Sequence, residues 1–198
     1  NETTKMEKIL ILDNYDSFTY NIASLVRSLG YPVEVRRNDE ITPEQAGEYP
    51  RVIISPGPGL PCESGILPEY LARYAHCRSI LGICLGEQAI GERFGARLRN
   101  LENVYHGVAT PVRVVAPDPI FEGLGEEFLA GRYHSWVVDE EGFPAELEVT
   151  ARDPMGQVMA LRHRRYDVRG VQFHPESVLT PKGGLILKNW LEKYPAGK

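Results

Sequence analysis

The chain has 198 residues, of which 42% are hydrophobic and 25% are charged, and its formal net charge at pH 7 is −5. This composition is typical of an ordinary soluble globular protein with enough apolar residues for a sizeable core. The acidic balance gives no electrostatic basis for binding nucleic acid or an anionic membrane, and no apolar stretch approaches the length of a membrane span.

The first half of the chain alternates between buried strands and amphipathic helices. The pattern predicts strands over residues 8–13, 33–36, 51–55 and 79–83, and helices over residues 17–29 and 66–77. Such alternation predicts an α/β fold, with a mostly parallel open sheet and helices on both of its faces. Residues 1–7 are predicted to be a variable or non-native N-terminus, and residues 8–194 a single domain.

The second half of the chain is predicted to be rich in β-structure. The strand segments are residues 109–115, 128–133, 147–151, 158–162 and 168–172. A last helix is predicted over residues 185–191, with its start at Thr180 and Pro181.

A cysteine stands between a predicted strand and a predicted helix, in the segment Gly82-Ile83-Cys84-Leu85-Gly86. Glycines on both sides permit a sharp reversal, as in the Gly-x-Ser-x-Gly nucleophile elbow. A helix N-terminus favours thiolate over thiol, and the N–H of Leu85 would point to the place where an oxyanion forms. Cys84 is therefore a candidate nucleophile, although a buried cysteine by itself is only a small apolar residue.

A candidate base follows about ninety residues later, in the segment 171–176, which reads VQFHPE. Residues i and i+2 of an extended segment share a face, so His174 and Glu176 are expected to point the same way. His174 would then take the proton of Cys84, while Glu176 fixes the tautomer of the imidazole. Taken alone, a His-Pro-Glu segment is more often a simple turn.

A stiff glycine loop supplies the third element. The predicted strand 51–55 runs into Ser55-Pro56-Gly57-Pro58-Gly59. Glycines let backbone amides approach a ligand without side-chain obstruction, so this loop is able to donate a second hydrogen bond to an oxyanion.

The three cysteines, Cys62, Cys77 and Cys84, show no CxxC spacing, which indicates a reducing, cytoplasmic location. Cys62 is the one rival nucleophile, but it has neither an elbow nor an evident base. The five histidines do not cluster at metal-ligand spacing, so neither a metal nor a cofactor is expected.

The chain resembles the class I, triad-type glutamine amidotransferases, in particular the small glutaminase subunits of anthranilate synthase and aminodeoxychorismate synthase. The matching segments occur in order and span nearly the whole chain: LDNYDSFTYN at 12–21, SPGPG at 55–59, GICLG at 82–86, RYHSWVV at 132–138 and GVQFHPES at 170–177. The first segment distinguishes these subunits from amidotransferases that make GMP or carbamoyl phosphate, which generally lack it. The fold that the resemblance implies is flavodoxin-like.

The resemblance implies that Cys84, His174 and Glu176 form a catalytic triad, with the amides of Gly59 and Leu85 as the oxyanion hole. Glutamine would be held by Gly57, Pro58, Gly59, Gln88, Ser135 and Trp136. Cys84 would attack the side-chain amide of glutamine, and water would hydrolyse the resulting thioester to glutamate. Ammonia would pass to a larger, chorismate-binding subunit that makes anthranilate or 4-amino-4-deoxychorismate.

Two positions depart from the family pattern, and the smaller departure is Trp136, where Leu is common. The family usually has His after the elbow glycine, whereas this chain has Glu87. We expect the Glu87 side chain to point away from Cys84, towards solvent or a partner, because a carboxylate beside the sulfur would oppose thiolate formation.

Two other classes of function stay open at this point. One is a cysteine hydrolase acting on peptides or γ-glutamyl compounds. The segment 12–21 argues against this class. The other is a catalytically weak interaction subunit, in which Glu87 is a sign of decay. The intact set of Cys84, His174 and Glu176 speaks against that reading.

Overall fold

The computed structural model describes residues 8–193. The expectations for residues 1–7 and for residue 194 lie outside the described residues. Within them the chain forms a nine-stranded mixed sheet, a separate two-stranded sheet and flanking helices. No described helix is both long and apolar enough to cross a membrane.

The first half alternates strands and helices, as the hydrophobic pattern predicts. Its elements are β1 Ile9–Asp13, α1 Thr19–Ser28, β2 Val33–Arg37, α2 Pro43–Ala46, β3 Arg51–Ile54, α3 Leu67–Tyr74, β4 Ser79–Ile83 and α4 Leu85–Arg93. The largest difference between the predicted and the observed bounds is in α3, which ends three residues before the predicted end of this helix. The short α2 was not predicted; it begins with a capping box between Thr42 and Gln45.

The second half is rich in strands and ends in a helix. Its elements are β5 Arg97–Asn100, β6 Val108–Val114, β7 Glu127–Arg132, β8 Trp136–Asp139, β9 Leu147–Arg152, β10 Val158–His163, β11 Val168–Val171 and α5 Gly183–Lys193. Strand β8 was not predicted, because it is short and its one partner, β5, is a mostly exposed strand distant in sequence. The predicted start of the last helix at Thr180 was wrong, since α5 begins at Gly183.

The order of strands in the large sheet is β2-β1-β3-β4-β11-β10-β9-β6-β7. The five strands from β2 to β11 in this order are parallel, and the remaining ones are antiparallel. The carboxyl ends of β1, β3, β4 and β11 therefore lie along one edge. Ligands of open α/β sheets bind at this edge.

Helices cover both faces of the parallel part, which confirms the predicted α/β architecture. Ile22 of α1 and Trp190 of α5 are fully buried on one face, and Tyr70 of α3 and Ile90 of α4 on the other. Buried Arg51 ties α5 to the sheet, because its guanidinium donates to the carbonyls of Leu191 at 2.9 Å and Trp190 at 2.6 Å. Such bonds satisfy the free carbonyls at a helix C-terminus.

Helix α4 lies against β11 at a contact that only glycine fits. A Cβ atom placed on Gly170 would lie 2.7 Å from both Cβ and Cγ of Glu87, and 2.8 Å from its Cα. These distances are far inside van der Waals contact, and the Cα of a helix residue cannot move aside without shifting the helix.

We expect Gly170→Ala to lower the free energy of unfolding by about 1–3 kcal/mol, because the added methyl group forces α4 away from β11. Gly184→Ala is the matched control, since a Cβ there would meet Leu25 Cδ1 at an ordinary 3.6 Å and alanine favours a helix. Urea unfolding followed by circular dichroism measures both variants. Equal stability of the two variants would contradict the close helix–sheet contact.

Candidate active site

Cys84 occupies the turn from β4 into α4, as the sequence predicts. Its backbone has φ 54° and ψ −103°, one of two non-glycine residues with positive φ among the described residues. A Cβ on Gly82 would lie 2.5 Å from the backbone of Gly86, and a Cβ on Gly86 would lie 2.7 Å from the carbonyl oxygen of Ile54. The two glycines therefore permit a turn that holds Cys84 in a strained conformation at the start of a helix.

His174 and Glu176 lie close together, but the extended segment predicted for them was wrong. Strand β11 ends at Val171, and Pro175 and Glu176 form a turn. The turn nevertheless places Nδ1 of His174 2.6 Å from Oε1 of Glu176. In an extended segment, side chains i and i+2 are close because they lie on the same face. In this turn they are close because the chain reverses its direction.

The backbone of His174 is fixed by bonds to a neighbouring strand and to the following loop. Its N–H donates to the carbonyl of Gly131 at 2.9 Å, and its carbonyl accepts from the hydroxyl of Thr180 at 2.7 Å. The same hydroxyl accepts from the N–H of Gly131 at 2.8 Å. Thr180 thus holds the histidine loop to β7 and does not begin the last helix.

The imidazole of His174 is buried between aromatic rings and charged groups. The ring centroid of Tyr133 lies 4.8 Å away and that of Phe18 lies 6.1 Å away. Burial by itself lowers the pKa of His174, but the side chains of Cys84 and Glu176 outweigh it and raise the pKa to about 10. The raised pKa favours the protonated ring of His174, whose Nε2 has no hydrogen-bond partner among the described residues.

Gln172 contacts the cysteine sulfur directly, and sequence reasoning missed this. Its Nε2 donates to Sγ of Cys84 at 3.4 Å, and its Oε1 accepts from Nε2 of Gln88 at 3.1 Å. Gln88 Nε2 also donates to the carbonyl of Trp136 at 2.9 Å. A chain of amide groups thus runs from the sulfur to β8. The only sequence signal was the place of Gln172 directly after the last parallel strand.

The predicted glutamine-binding residues come together around one pocket. The pocket has a volume of about 430 Å³. It is lined by the sulfur-bearing Cys84 and by all six residues predicted for this role, namely Gly57, Pro58, Gly59, Gln88, Ser135 and Trp136. Leu85, the other predicted oxyanion-hole residue, is 1% exposed and does not line the pocket with its side chain. Its N–H is the first of α4, directly after Cys84.

The carbonyl of Trp136 has no lone pair left for a ligand. It accepts from Nε2 of Gln88 at 2.9 Å and from Nδ1 of His134 at 2.8 Å, and a carbonyl oxygen has two lone pairs. Nε2 of His134 accepts from the buried Arg132 side chain at 3.1 Å. Burial and Arg132 lower the pKa of His134 to about 3, so its ring stays neutral. His134 is thus a structural residue.

The expectation that Glu87 points towards solvent or a partner was wrong. The side chain is 0% exposed and packs between α4 and β11, and neither carboxyl oxygen has a hydrogen-bond partner among the described residues. Burial raises the pKa of Glu87 well above its usual value. The raised pKa favours the neutral acid, and the side chain is buried because α4 rests on Gly170 and turns this position towards the sheet.

Asp16 is a second acid, close to His174 and Glu176, that sequence reasoning did not single out. Burial raises the pKa of Asp16 to about 6. Smaller effects come from His174, which lowers the pKa, and from Glu176, which raises it. It belongs to the segment 12–21 on which the resemblance rests.

Within residues 8–193, no three His, Cys, Asp or Glu side chains are grouped so that they could hold a metal ion.

The family model for glutamine amidotransferase class-I matches residues 10–194. Aminodeoxychorismate synthase component 2 of Klebsiella aerogenes is 43% identical over 93% of this chain and 100% of its own length. Anthranilate synthase component 2 of Porphyra purpurea is 44% identical over 93% of this chain and 98% of its own.

Solved structures share the fold. A Thermoplasma acidophilum protein, described provisionally as one of the subunits of a GMP synthase, has a TM-score of 0.83 at 28% identity, covering 93% of this chain and 92% of that one. A glutamine amidotransferase of Thermotoga maritima has a TM-score of 0.70 at 17% identity, covering 94% of this chain and 81% of that one, and supports the fold alone.

We expect His174 to keep both ring protons at pH 8, while His134 in the same protein stays neutral with its proton on Nδ1. NMR of protein labelled with ¹⁵N-histidine distinguishes these states. Glu176→Gln removes the negative charge next to His174 and is expected to lower its pKa. A neutral His174 ring at pH 8 in the unaltered protein would contradict this assignment.

We expect Glu87→Gln to stabilise the protein at pH 7 but not near pH 4. The pKa of Glu87 is higher in the folded protein than in the unfolded chain, where it is about 4.3. The unaltered protein therefore has its full stability below about pH 4.3. As the pH rises from there towards the folded pKa, its free energy of unfolding falls by up to about 1.4 kcal/mol per pH unit. Urea unfolding of both proteins from pH 4 to 8 measures the difference, and a difference that does not change with pH would contradict a buried neutral acid.

Proposed function

Because the chain belongs to the class I glutamine amidotransferases, we propose that it is the glutaminase subunit of a chorismate-aminating synthase. It hydrolyses L-glutamine to glutamate and ammonia, and a separate, larger subunit uses the ammonia to make anthranilate. The observation that carries this proposal is the pocket that the elbow cysteine Cys84 shares with the glycine loop, next to a histidine that is bonded to Glu176 and packs on Tyr133, another lining residue of that pocket.

The proposed first step is attack of the Cys84 sulfur on the side-chain amide carbon of glutamine. In this proposal the sulfur attacks as a thiolate, and His174, whose pKa the side chains of Cys84 and Glu176 raise to about 10, holds the proton. The negative charge that develops on the amide oxygen is stabilised by the N–H groups of Gly59 and Leu85. Gly59 has φ 77°, a conformation that glycine adopts without strain.

The proposed second step releases ammonia. His174 gives its proton to the amide nitrogen, the carbon–nitrogen bond breaks, and a glutamyl thioester remains on Cys84. His174 then removes a proton from water, which attacks the thioester, and glutamate leaves as the sulfur regains its charge. Glu176 holds the imidazole in one tautomer throughout, through its 2.6 Å contact with Nδ1.

Gln88 and Gln172 have positioning roles in this proposal. The 3.4 Å bond from Gln172 to Sγ aims the sulfur and favours its negative charge. Gln88 has both amide hydrogens engaged, so only its oxygen is free for the substrate. Glutamine is therefore held mainly by the backbone of residues 57–59 and 135.

Two aminated products are consistent with this site, because relatives of both kinds match the chain equally well. Anthranilate synthase component 2 of Porphyra purpurea and aminodeoxychorismate synthase component 2 of Klebsiella aerogenes are 44% and 43% identical. We favour anthranilate as the product and keep 4-amino-4-deoxychorismate as the alternative. The larger subunit decides between the two, because it is the one that binds chorismate.

We expect Cys84→Ala to reduce glutamate release from glutamine by more than about a thousandfold, since the nucleophile is lost. Activity of the unaltered chain is expected to rise when a chorismate-using large subunit is added. Release of glutamate is measured with and without that subunit.

Cys62→Ala and Cys77→Ala are the matched controls, because both cysteines are exposed. Unchanged activity in Cys84→Ala together with a loss in Cys62→Ala would transfer the nucleophile to Cys62. Faster cleavage of γ-glutamyl peptides than of glutamine would instead support a γ-glutamyl hydrolase.

A further inference from the structure

The pocket in front of Cys84 carries one carboxylate that the proposed chemistry does not use. Glu63 lines the pocket and belongs to the short 3-10 helix Pro61–Glu63 that follows the glycine loop. Its Oε2 atom would lie 2.5 Å from a Cβ built on Gly59. The carboxylate therefore rests directly against the loop that supplies an oxyanion-hole amide, and any side chain at position 59 would displace it.

Glu63 has no cationic partner within residues 8–193. Its hydrogen bond in this part of the chain is a long one, in which Oε2 accepts from the N–H of Leu60 at 3.4 Å. No Lys, Arg or His nitrogen among the described residues lies within the 4.0 Å that defines an ion pair with it. Its charge is thus available to a ligand in the pocket.

The other polar groups of the pocket are neutral or already engaged. The carbonyl of Trp136 has two donors, both nitrogens of His134 are used, and the hydroxyl of Tyr133 is bonded to Ser177 at 3.0 Å. Gln88 keeps a free amide oxygen, but a neutral acceptor binds a cation more weakly than a carboxylate does. Among the described residues that line the pocket, Glu63 is the only one with a carboxyl group.

Glutamine enters this pocket as a zwitterion. Its amide must reach Cys84, and its α-ammonium loses part of its hydration on entry and needs a negatively charged acceptor. On the basis of the proposed function, we propose that Glu63 binds this α-ammonium group. Glu63 then determines specificity, because it distinguishes glutamine from primary amides that lack an α-amino group.

The test compares glutamine with glutaramic acid, which has the same amide and the same carboxylate but no α-amino group. The complex with the large subunit is assayed for kcat/KM on both substrates. The unaltered protein is expected to prefer glutamine. In Glu63→Gln this preference falls at least about fivefold, because the charged partner of the ammonium is lost. The loss is confined to glutamine and appears mainly in KM, since the ammonium lies away from the reacting bond.

A purely structural role gives a different result. If Glu63 only holds the loop at Leu60, Glu63→Gln lowers kcat/KM for both substrates by the same factor, and the inference is overturned. Glu63→Asp keeps the charge and is expected to retain most of the preference. Glu126→Gln, at an exposed position outside the pocket, is the matched control and should change neither substrate.

Failure of the proposed function is distinguishable from failure of this inference. A complex that releases no glutamate from glutamine, with either form of residue 63, overturns both. A complex that is active, with an unchanged preference in Glu63→Gln, overturns only the role of Glu63.

Discussion

Helix α4 touches the sheet through glycines, and the site depends on this close approach. Gly82, Gly86 and Gly170 each lie where a Cβ atom would be less than 3 Å from a neighbouring residue. The contacts hold the N-terminus of α4 against the carboxyl ends of β3 and β4, so that Cys84 has to turn through a left-handed conformation. A longer helix–sheet distance would relax that turn and move the sulfur out of the pocket.

The same closeness explains the buried Glu87. Glu87, three positions after Cys84, lies on the side of α4 that rests on β11, and there is no room for its carboxyl group to reach water. The protein tolerates it as a neutral acid, at a cost in stability that grows with pH. Because the group is neutral, it places no negative charge beside the sulfur. Glu87 therefore gives no electrostatic reason to regard the site as decayed.

The polar groups around Cys84 come from segments far apart in the chain, and each has a partner that limits what it can do. Gln172 follows β11, Gln88 lies on α4 and Trp136 begins β8, yet they form one series of hydrogen bonds to the sulfur. Because these groups satisfy one another, the pocket offers a zwitterionic ligand few free acceptors. The Glu63 carboxylate, which has no cationic partner among the described residues, thereby gains importance.

The sequence by itself determined the alternation of strands and helices in the first half, the parallel part of the sheet and the elbow position of Cys84. These follow from local causes: hydrophobic periodicity, and glycines at fixed distances from Cys84. His174, Glu176 and the glycine loop were also singled out, although only the resemblance to a family assigned them roles in one site. Only the tertiary structure decided that Glu87 is buried, that Gln172 touches the sulfur, that Thr180 holds His174 and that Glu63 faces the pocket. Burial and pairing of this kind depend on which distant segments meet, and no local pattern in the chain encodes that.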